Sequence, residues 1–365
     1  MHIPWGWVKQ RPHFIAQYLS KYYDVTLLYK QSFIKNGLVQ ESIPDNLKEK
    51  RLFIIPNRFA GYGLIRAVNS AITKIQLKGE IEKYDIIWFT HPLMFDLIEA
   101  AIPEDAKVIY DCMDDVLEFP LTRADMRMKN VIANCEMKLV ERSDIIFISS
   151  DYLETKIRKR YSIDSQRVFV FNNAMTLEDR VEVSNNLLLN IIERSKVARF
   201  KLAYVGTISE WFDFDLILES LERFNNIVYM LFGPLDTEIP NHERILYFGP
   251  IEHKYVLNVM ELSDALIMPF KLSELILSVN PVKIYEYIYS CKPSIVIQYP
   301  ETSKFEDYVF LYKSRDEYFN LLEKLENGNL VLKGDCLSYK EFAINNGWQN
   351  RVKDMVKIIG DICGR

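Results

Sequence analysis

Val279-Asn280-Pro281-Val282-Lys283-Ile284-Tyr285-Glu286-Tyr287 carries the decisive pattern of this chain. Asn280 is a favourable N-cap and Pro281 suits the first helical position. The pattern therefore predicts a helix that begins here, with Lys283 in its first turn. A cation is misplaced there unless an anion sits in front of it, because a helix N-terminus already carries about half a positive charge. The helix end and the lysine together make a diphosphate site. Glu286 lies one turn further on, on the same face. A carboxylate does not serve a phosphate, but it accepts hydrogen bonds from sugar hydroxyls, and phosphate plus hydroxyls suggests a nucleotide. A surface helix with an i,i+3 Lys–Glu pair fits the same residues, and this stretch alone does not separate the two.

Outward from this helix, short apolar β-branched runs alternate with helical patterns. The runs are residues 25–29, 52–56, 85–89, 107–112, 144–150 and 168–173 in the first half, then 201–206, 227–233, 244–250, 265–270, 294–298 and 308–312. Continuous apolar strands between helices predict parallel sheets covered on both faces. Two such sets predict an α/β chain of two Rossmann-like, doubly wound domains, which suits a length of 365 residues. The break falls near residues 173–199. It separates an N-terminal domain over 1–175 from a C-terminal domain over 198–346, and residues 347–365 read as an amphipathic helix. A doubly wound domain opens with a strand, a phosphate-facing loop and a helix. Here only Met1-His2-Ile3 precedes the loop Pro4-Trp5-Gly6-Trp7 and the helix at 11–22. The opening strand is expected to be a stub, leaving a sheet edge exposed.

The net charge of −5 gives no basic field for nucleic acid. The five cysteines, Cys112, Cys135, Cys291, Cys336 and Cys363, are scattered and form no CxxC pair, so neither a zinc site nor a disulfide framework is expected. A reducing cytoplasm follows as the expected compartment. No apolar run reaches the ~20 residues that span a bilayer, and no signal peptide is read at the N-terminus. The sequence holds no GxSxG elbow, no Walker loop and no GxGxxG after a strand. These absences argue against such hydrolases, P-loop enzymes and simple dehydrogenases.

Candidate site residues are sought just after strands, where open α/β sheets bind ligands. Gly206 and Thr207, Gly233, and Gly249 end successive runs of the second half; glycines there let a backbone approach a ligand, though ordinary tight turns would use them too. Lys271 follows the fourth run and is a second diphosphate contact or a solvated lysine. In the first half, Asp111, Asp114 and Asp115 crowd one strand end. Asp114 or Asp115 could be a general base, hold an acceptor hydroxyl, or cap a helix. His91 is a further acid–base candidate. Arg11 could face the ligand cleft, and His13 beside it reads as a surface histidine. The basic run 156–160, with Arg58, Arg66, Lys74 and Lys78 around the apolar segment 64–77, reads as a solvated face or as a surface for an anionic membrane.

The chain resembles the GT-B glycosyltransferases related to family 4, and within them bacterial enzymes of teichuronic acid and capsular polysaccharide synthesis. The matching stretches are residues 5–13, 110–115, 204–215, 269–271, 281–293 and the Trp348 helix. The resemblance implies two Rossmann-like domains facing a cleft, with the last helix crossing back to the N-terminal domain. It implies a nucleotide-sugar donor on the C-terminal domain, UDP-sugar favoured over GDP- or dTDP-sugar, and an acceptor on the N-terminal domain. It places Lys283 at the diphosphate, Glu286 at the ribose hydroxyls, Gly206 and Thr207 near the phosphates, and Asp114 and Asp115 at the acceptor. The implied reaction is metal-independent, retaining transfer to a lipid-linked glycan, without a cofactor, at the inner face of a bacterial membrane. The chain departs from the family pattern twice. Ser278 stands where a glutamate is expected eight residues before Glu286, and no cation occurs from Thr207 through Asp213. A nucleotide-sugar epimerase and a non-catalytic subunit of an assembly complex share the fold and remain alternatives.

Overall fold

The apolar runs assemble into three parallel sheets in the computed structural model, which describes Trp5 and residues 9–31, 43–55, 61–163, 165–176 and 185–364. The chain divides into two units, Met1–Asn173 with Trp348–Arg365, and Ala174–Gly347.

In the first unit, β1 (Val25–Gln31) pairs with β2 (Leu47–Phe53) along its whole length. β3 (Ile86–Phe89), β4 (Lys107–Cys112), β5 (Ile145–Ile148) and β6 (Val168–Val170) make a separate sheet in that order. The helices are α1 (Arg11–Leu19), α2 (Gly63–Leu77), α3 (Pro92–Ile98), α4 (Pro120–Ala124), α5 (Met126–Arg142) and α6 (Asp151–Tyr161). Their starts are written in the sequence: His91, Asp125 and Ser150 accept backbone N–H groups at the N-caps of α3, α5 and α6. β4 and β5 bury every residue or nearly so because helices cover both faces. The expected stub of an opening strand falls on residues 1–3, outside the described residues. Among the described residues, β1 and β3 each pair on one side only.

The second unit is a complete doubly wound sheet. Its strands are β7 (Phe200–Val205), β8 (Ile227–Phe232), β9 (Ile245–Gly249), β10 (Ala265–Met268), β11 (Ser294–Ile297) and β12 (Phe310–Tyr312), in the order β12-β11-β10-β7-β8-β9. Around them run α7 (Asn185–Ser195), α8 (Phe214–Arg223), α9 (Val256–Glu261), α10 (Glu274–Ser278), α11 (Val282–Tyr289), α12 (Pro300–Ser303), α13 (Arg315–Glu326) and α14 (Cys336–Asn345). The last helix, α15 (Trp348–Cys363), belongs to the first unit, where Trp348 stacks on Phe14 of α1 with ring centroids 5.9 Å apart.

Three sequence expectations are corrected. Cys291 and Cys336 form a disulfide across 45 residues of sequence. Packing of α14 on α11, with Tyr285 stacked on Phe342, brings them together, which cysteine spacing does not reveal. His13 is buried rather than on the surface: its Nδ1 accepts Gln10 N–H at 3.1 Å and its ring meets Trp5 edge-on. The basic run 156–160 is largely spent within the unit, since Lys156 and Arg160 bind Asp115 and Arg158 binds Glu154. No helix among the described residues is long and apolar enough to cross a membrane. Arg58 lies outside the described residues.

Candidate active site

Strand order in the second unit reverses between β7 and β10, and doubly wound sheets bind ligands beyond the carboxyl ends of the strands at such a point. The segment after β7 is fastened along this edge. Ile208 N–H donates to Pro234 O at 2.9 Å, Asp213 N–H to Pro269 O at 2.8 Å, and Lys271 N–H to Trp211 O at 2.7 Å. Gly233 N–H donates to Gly249 O at 2.9 Å, so Gly206, Gly233 and Gly249 follow one another across the edge. Two of them must be glycine. A Cβ on Gly233 would stand 2.1 Å from Gly206 O, and one on Gly206 would stand 1.7 Å from Lys283 Cε.

Lys283 therefore lies directly over Gly206. It makes no hydrogen bond or ion pair to any described residue, and burial pushes its pKa below the usual lysine range, opposed by Glu286. It stands in the first turn of α11, where Ile284 N–H donates to Pro281 O at 3.2 Å and the N–H groups of Val282 and Lys283 come too early in the helix for a partner within it. A partly dehydrated ammonium at a positive helix end, touching no carboxylate, is complementary to an anion. Glu286, one turn on, has Oε1 3.0 Å from His253 Nε2. Sequence reasoning did not find His253, and at a sequence separation of 33 no spacing signal pointed to it.

The remaining candidates in this unit sit differently. Thr207 is exposed, and its carbonyl accepts Tyr204 Oη at 2.9 Å. Lys271 pairs with Asp215 at 2.9 Å on the surface; such exposed pairs are weak. Asn280 is not the cap. The helix starts one residue later than expected, with Pro281 at the N-cap, because the buried Asn280 Nδ2 donates to Glu301 Oε2 at 3.0 Å. Ser278 is buried at the end of α10, where its Oγ donates to Leu275 O at 2.6 Å.

The first unit gathers its own cluster beyond β4. Arg11 is buried and committed: Nε donates to Asp111 Oδ1 at 2.9 Å, Nη1 donates to Phe171 O at 2.6 Å, and the guanidinium lies over Trp348. It reinforces the acidic strand end rather than offering a free cation. Burial pushes the Asp111 carboxyl up, and Arg11 opposes it. The two following aspartates part ways. Burial would raise Asp115, but Arg160 and Lys156 hold it below the usual carboxylate range. Asp114 lacks that support. Burial, with Asp111 and Asp115 nearby, pushes it up to about 7 against the pull of Arg11. His91 is occupied as a helix cap, its Nδ1 accepting Leu93 N–H at 3.1 Å, and burial with the nearby Lys30 lowers its pKa to about 3. It is neutral at physiological pH.

No family model matches the chain. It is 28% identical over 295 residues to the protein named "Putative teichuronic acid biosynthesis glycosyltransferase TuaH" of Bacillus subtilis, covering 75% of this chain and 71% of that one. Among solved structures it is similar to the sucrose-phosphate synthase of Thermosynechococcus elongatus, with a TM-score of 0.70 at 11% identity over 96% of this chain and 92% of that one. It is also similar to Anabaena HepE in complex with UDP and glucose, with a TM-score of 0.67 at 11% identity over 97% of each chain. A third match is the Escherichia coli trehalose-6-phosphate protein bound with UDP-2-fluoro glucose, with a TM-score of 0.71 at 9% identity over 98% of this chain and 97% of that one. The chain has the GT-B fold, the fold of these glycosyltransferases.

Proposed function

We propose that this protein is a glycosyltransferase that draws its sugar from a nucleotide diphosphate sugar. The observation that carries this reading is Lys283, laid over Gly206 at the head of α11 with no carboxylate in contact. In glycosyl transfer the bond from the anomeric carbon to the diphosphate oxygen breaks, and a bond to the acceptor oxygen forms. Negative charge gathers on the departing diphosphate, and preorganised donors at that point stabilise the transition state. The α11 N-terminus and Lys283 supply them without a metal. Glu286 accepts hydrogen bonds from the ribose. The UDP bound in two of the similar structures favours UDP as the carrier.

The second unit then holds the donor and the first the acceptor. Asp114, with a pKa raised to about 7, is the proton acceptor if configuration inverts. If the enzyme retains, as the family 4 resemblance implies, the diphosphate itself takes the proton. Likeness to a protein named for teichuronic acid biosynthesis favours a growing polysaccharide of that kind as acceptor, and its lipid-linked form is what the family resemblance implies. A membrane surface as its place of work is supported by α2. That helix buries Asn69 and Thr73 and exposes Leu64, Val68, Ile72 and Ile75 on one face, with exposed Lys74 and Lys78 alongside.

Calorimetric titration of UDP tests the central claim. Replacing Lys283 with alanine removes a charge-assisted contact worth about 1.5–3 kcal/mol, so affinity is expected to fall about 10–100-fold. Unchanged UDP affinity in that variant would remove Lys283 from the diphosphate site and the reading with it.

A further inference from the structure

Lys283 and Glu286 are placed to pair with each other. They stand three residues apart on one face of α11, where Cβ atoms lie about 5–6 Å apart and opposite charges attract. The positive head of the helix draws a carboxylate in the same direction. Yet no ion pair joins the two. Glu286 acts on Lys283 only as a nearby charge, and its Oε1 lies 3.0 Å from His253 Nε2 instead. A carboxylate only accepts, so His253 Nε2 carries the hydrogen of this bond.

The fold fixes the histidine in that place. His253 opens the short turn His253–Tyr255 between β9 and α9. Val256, Val259 and Met260 of α9 share a buried core with Val205 of β7 and Tyr287 of α11. Tyr287 Oη in turn donates to Ile267 O of β10 at 3.0 Å. His253 thus reaches Glu286 from a framework packed against α11 itself. Its side chain is 34% exposed, so replacing it opens no cavity in the core. Lys254, the next residue, is paired with Glu252 at 2.7 Å. Without His253, the cation on the helix face of Glu286 is Lys283.

We infer that His253 is a positioning residue of the diphosphate site: it holds the Glu286 carboxylate away from Lys283 and so keeps the ammonium open to an anion. This role rests on Lys283 being the diphosphate contact. An ammonium closed on a carboxylate is already neutralised, and every incoming diphosphate would first have to displace that carboxylate. By taking one oxygen of Glu286, His253 leaves the other for ribose hydroxyls. A single contact then serves both ends of the nucleotide site.

Inorganic pyrophosphate is the probe, because it engages Lys283 and has no ribose for Glu286. In calorimetric titrations of the full-length protein, His253→Ala should weaken pyrophosphate binding about three- to tenfold, the competition of a partly buried ion pair. In a Glu286→Gln background the same change should have no effect, since no carboxylate remains to close on Lys283. A merely structural role for His253 would lower the affinity in both backgrounds. His253→Gln, whose amide can still donate to Glu286, should keep the affinity within about twofold. His253→Asn, too short to reach Glu286, repeats the test should the alanine variant not fold. Pyrophosphate binding that is absent, or unchanged by Lys283→Ala, would sink the diphosphate site and this role with it. Binding that needs Lys283 but is untouched by His253→Ala, or that falls equally in both backgrounds, would overturn the role of His253 alone.

Discussion

At the residue scale, the contact between Lys283 and Gly206 makes a sharp prediction. A Cβ at position 206 would occupy the place of the lysine side chain, so Gly206→Ala acts on nucleotide binding by displacing Lys283. The double variant with Lys283→Ala is then expected to bind UDP about as weakly as either single variant, a non-additive cycle measurable by calorimetry. Additive losses would show that the two residues act separately. Asp114 predicts a pH dependence. Its folded pKa, raised to about 7, lies above the ordinary value near 3.9. Below about pH 4 both states hold the proton. Between about 4 and 7 the unfolded chain releases it while the folded chain keeps it, so stability falls as pH rises through this window. Asp114→Asn should flatten that slope in denaturant titrations at pH 5 and pH 8. Lys283 and Glu286 were legible because both lie in one continuous helical pattern. Asp114 and Asp115 were not separable, because their difference is made by Arg160 and Lys156, which arrive from another helix. The His253 partner of Glu286 was invisible for the same reason.

At the scale of elements, apolar runs marked the strands well, since a strand covered on both faces has only one composition open to it. Helix ends were legible where a cap acts locally, as at Ser150 and Asp125. The start of α11 was misread by one residue because Asn280 answers to Glu301 across the fold rather than to its own helix. The α2 helix shows another limit. Its apolar content read as a membrane surface or an ordinary face, and only the structure shows that Asn69 is buried, bound to the backbone of Ile55 at 2.9 and 3.1 Å, while Leu64, Val68, Ile72 and Ile75 face outward. Replacing Leu64, Val68, Ile72 and Ile75 with serine should abolish sedimentation with vesicles rich in anionic lipid. Because these side chains are exposed, Tm should change little, for surface substitutions usually lie within about 0.5 kcal/mol. Vesicle binding that survives the four changes would exclude α2 as the docking element.

For the whole molecule, the alternation of runs and helices made the two-unit organisation legible, and the sheet order of the second unit is the one that right-handed crossovers favour. The Cys291–Cys336 pairing was not legible, since it depends on how α14 returns to α11. Each unit has a core of its own, so calorimetry should resolve two transitions. The disulfide lies wholly in the second unit, and a loop of 45 residues constrains the unfolded chain by about 4 kcal/mol. At about 2–4 °C per kcal/mol for a unit of this size, reduction should lower that unit's transition by about 8–16 °C and leave the other in place. UDP should raise the same transition that reduction lowers, because a ligand stabilises only the unit that binds it. A rise in the transition that reduction leaves untouched would move the nucleotide to the first unit and overturn the assignment of donor and acceptor.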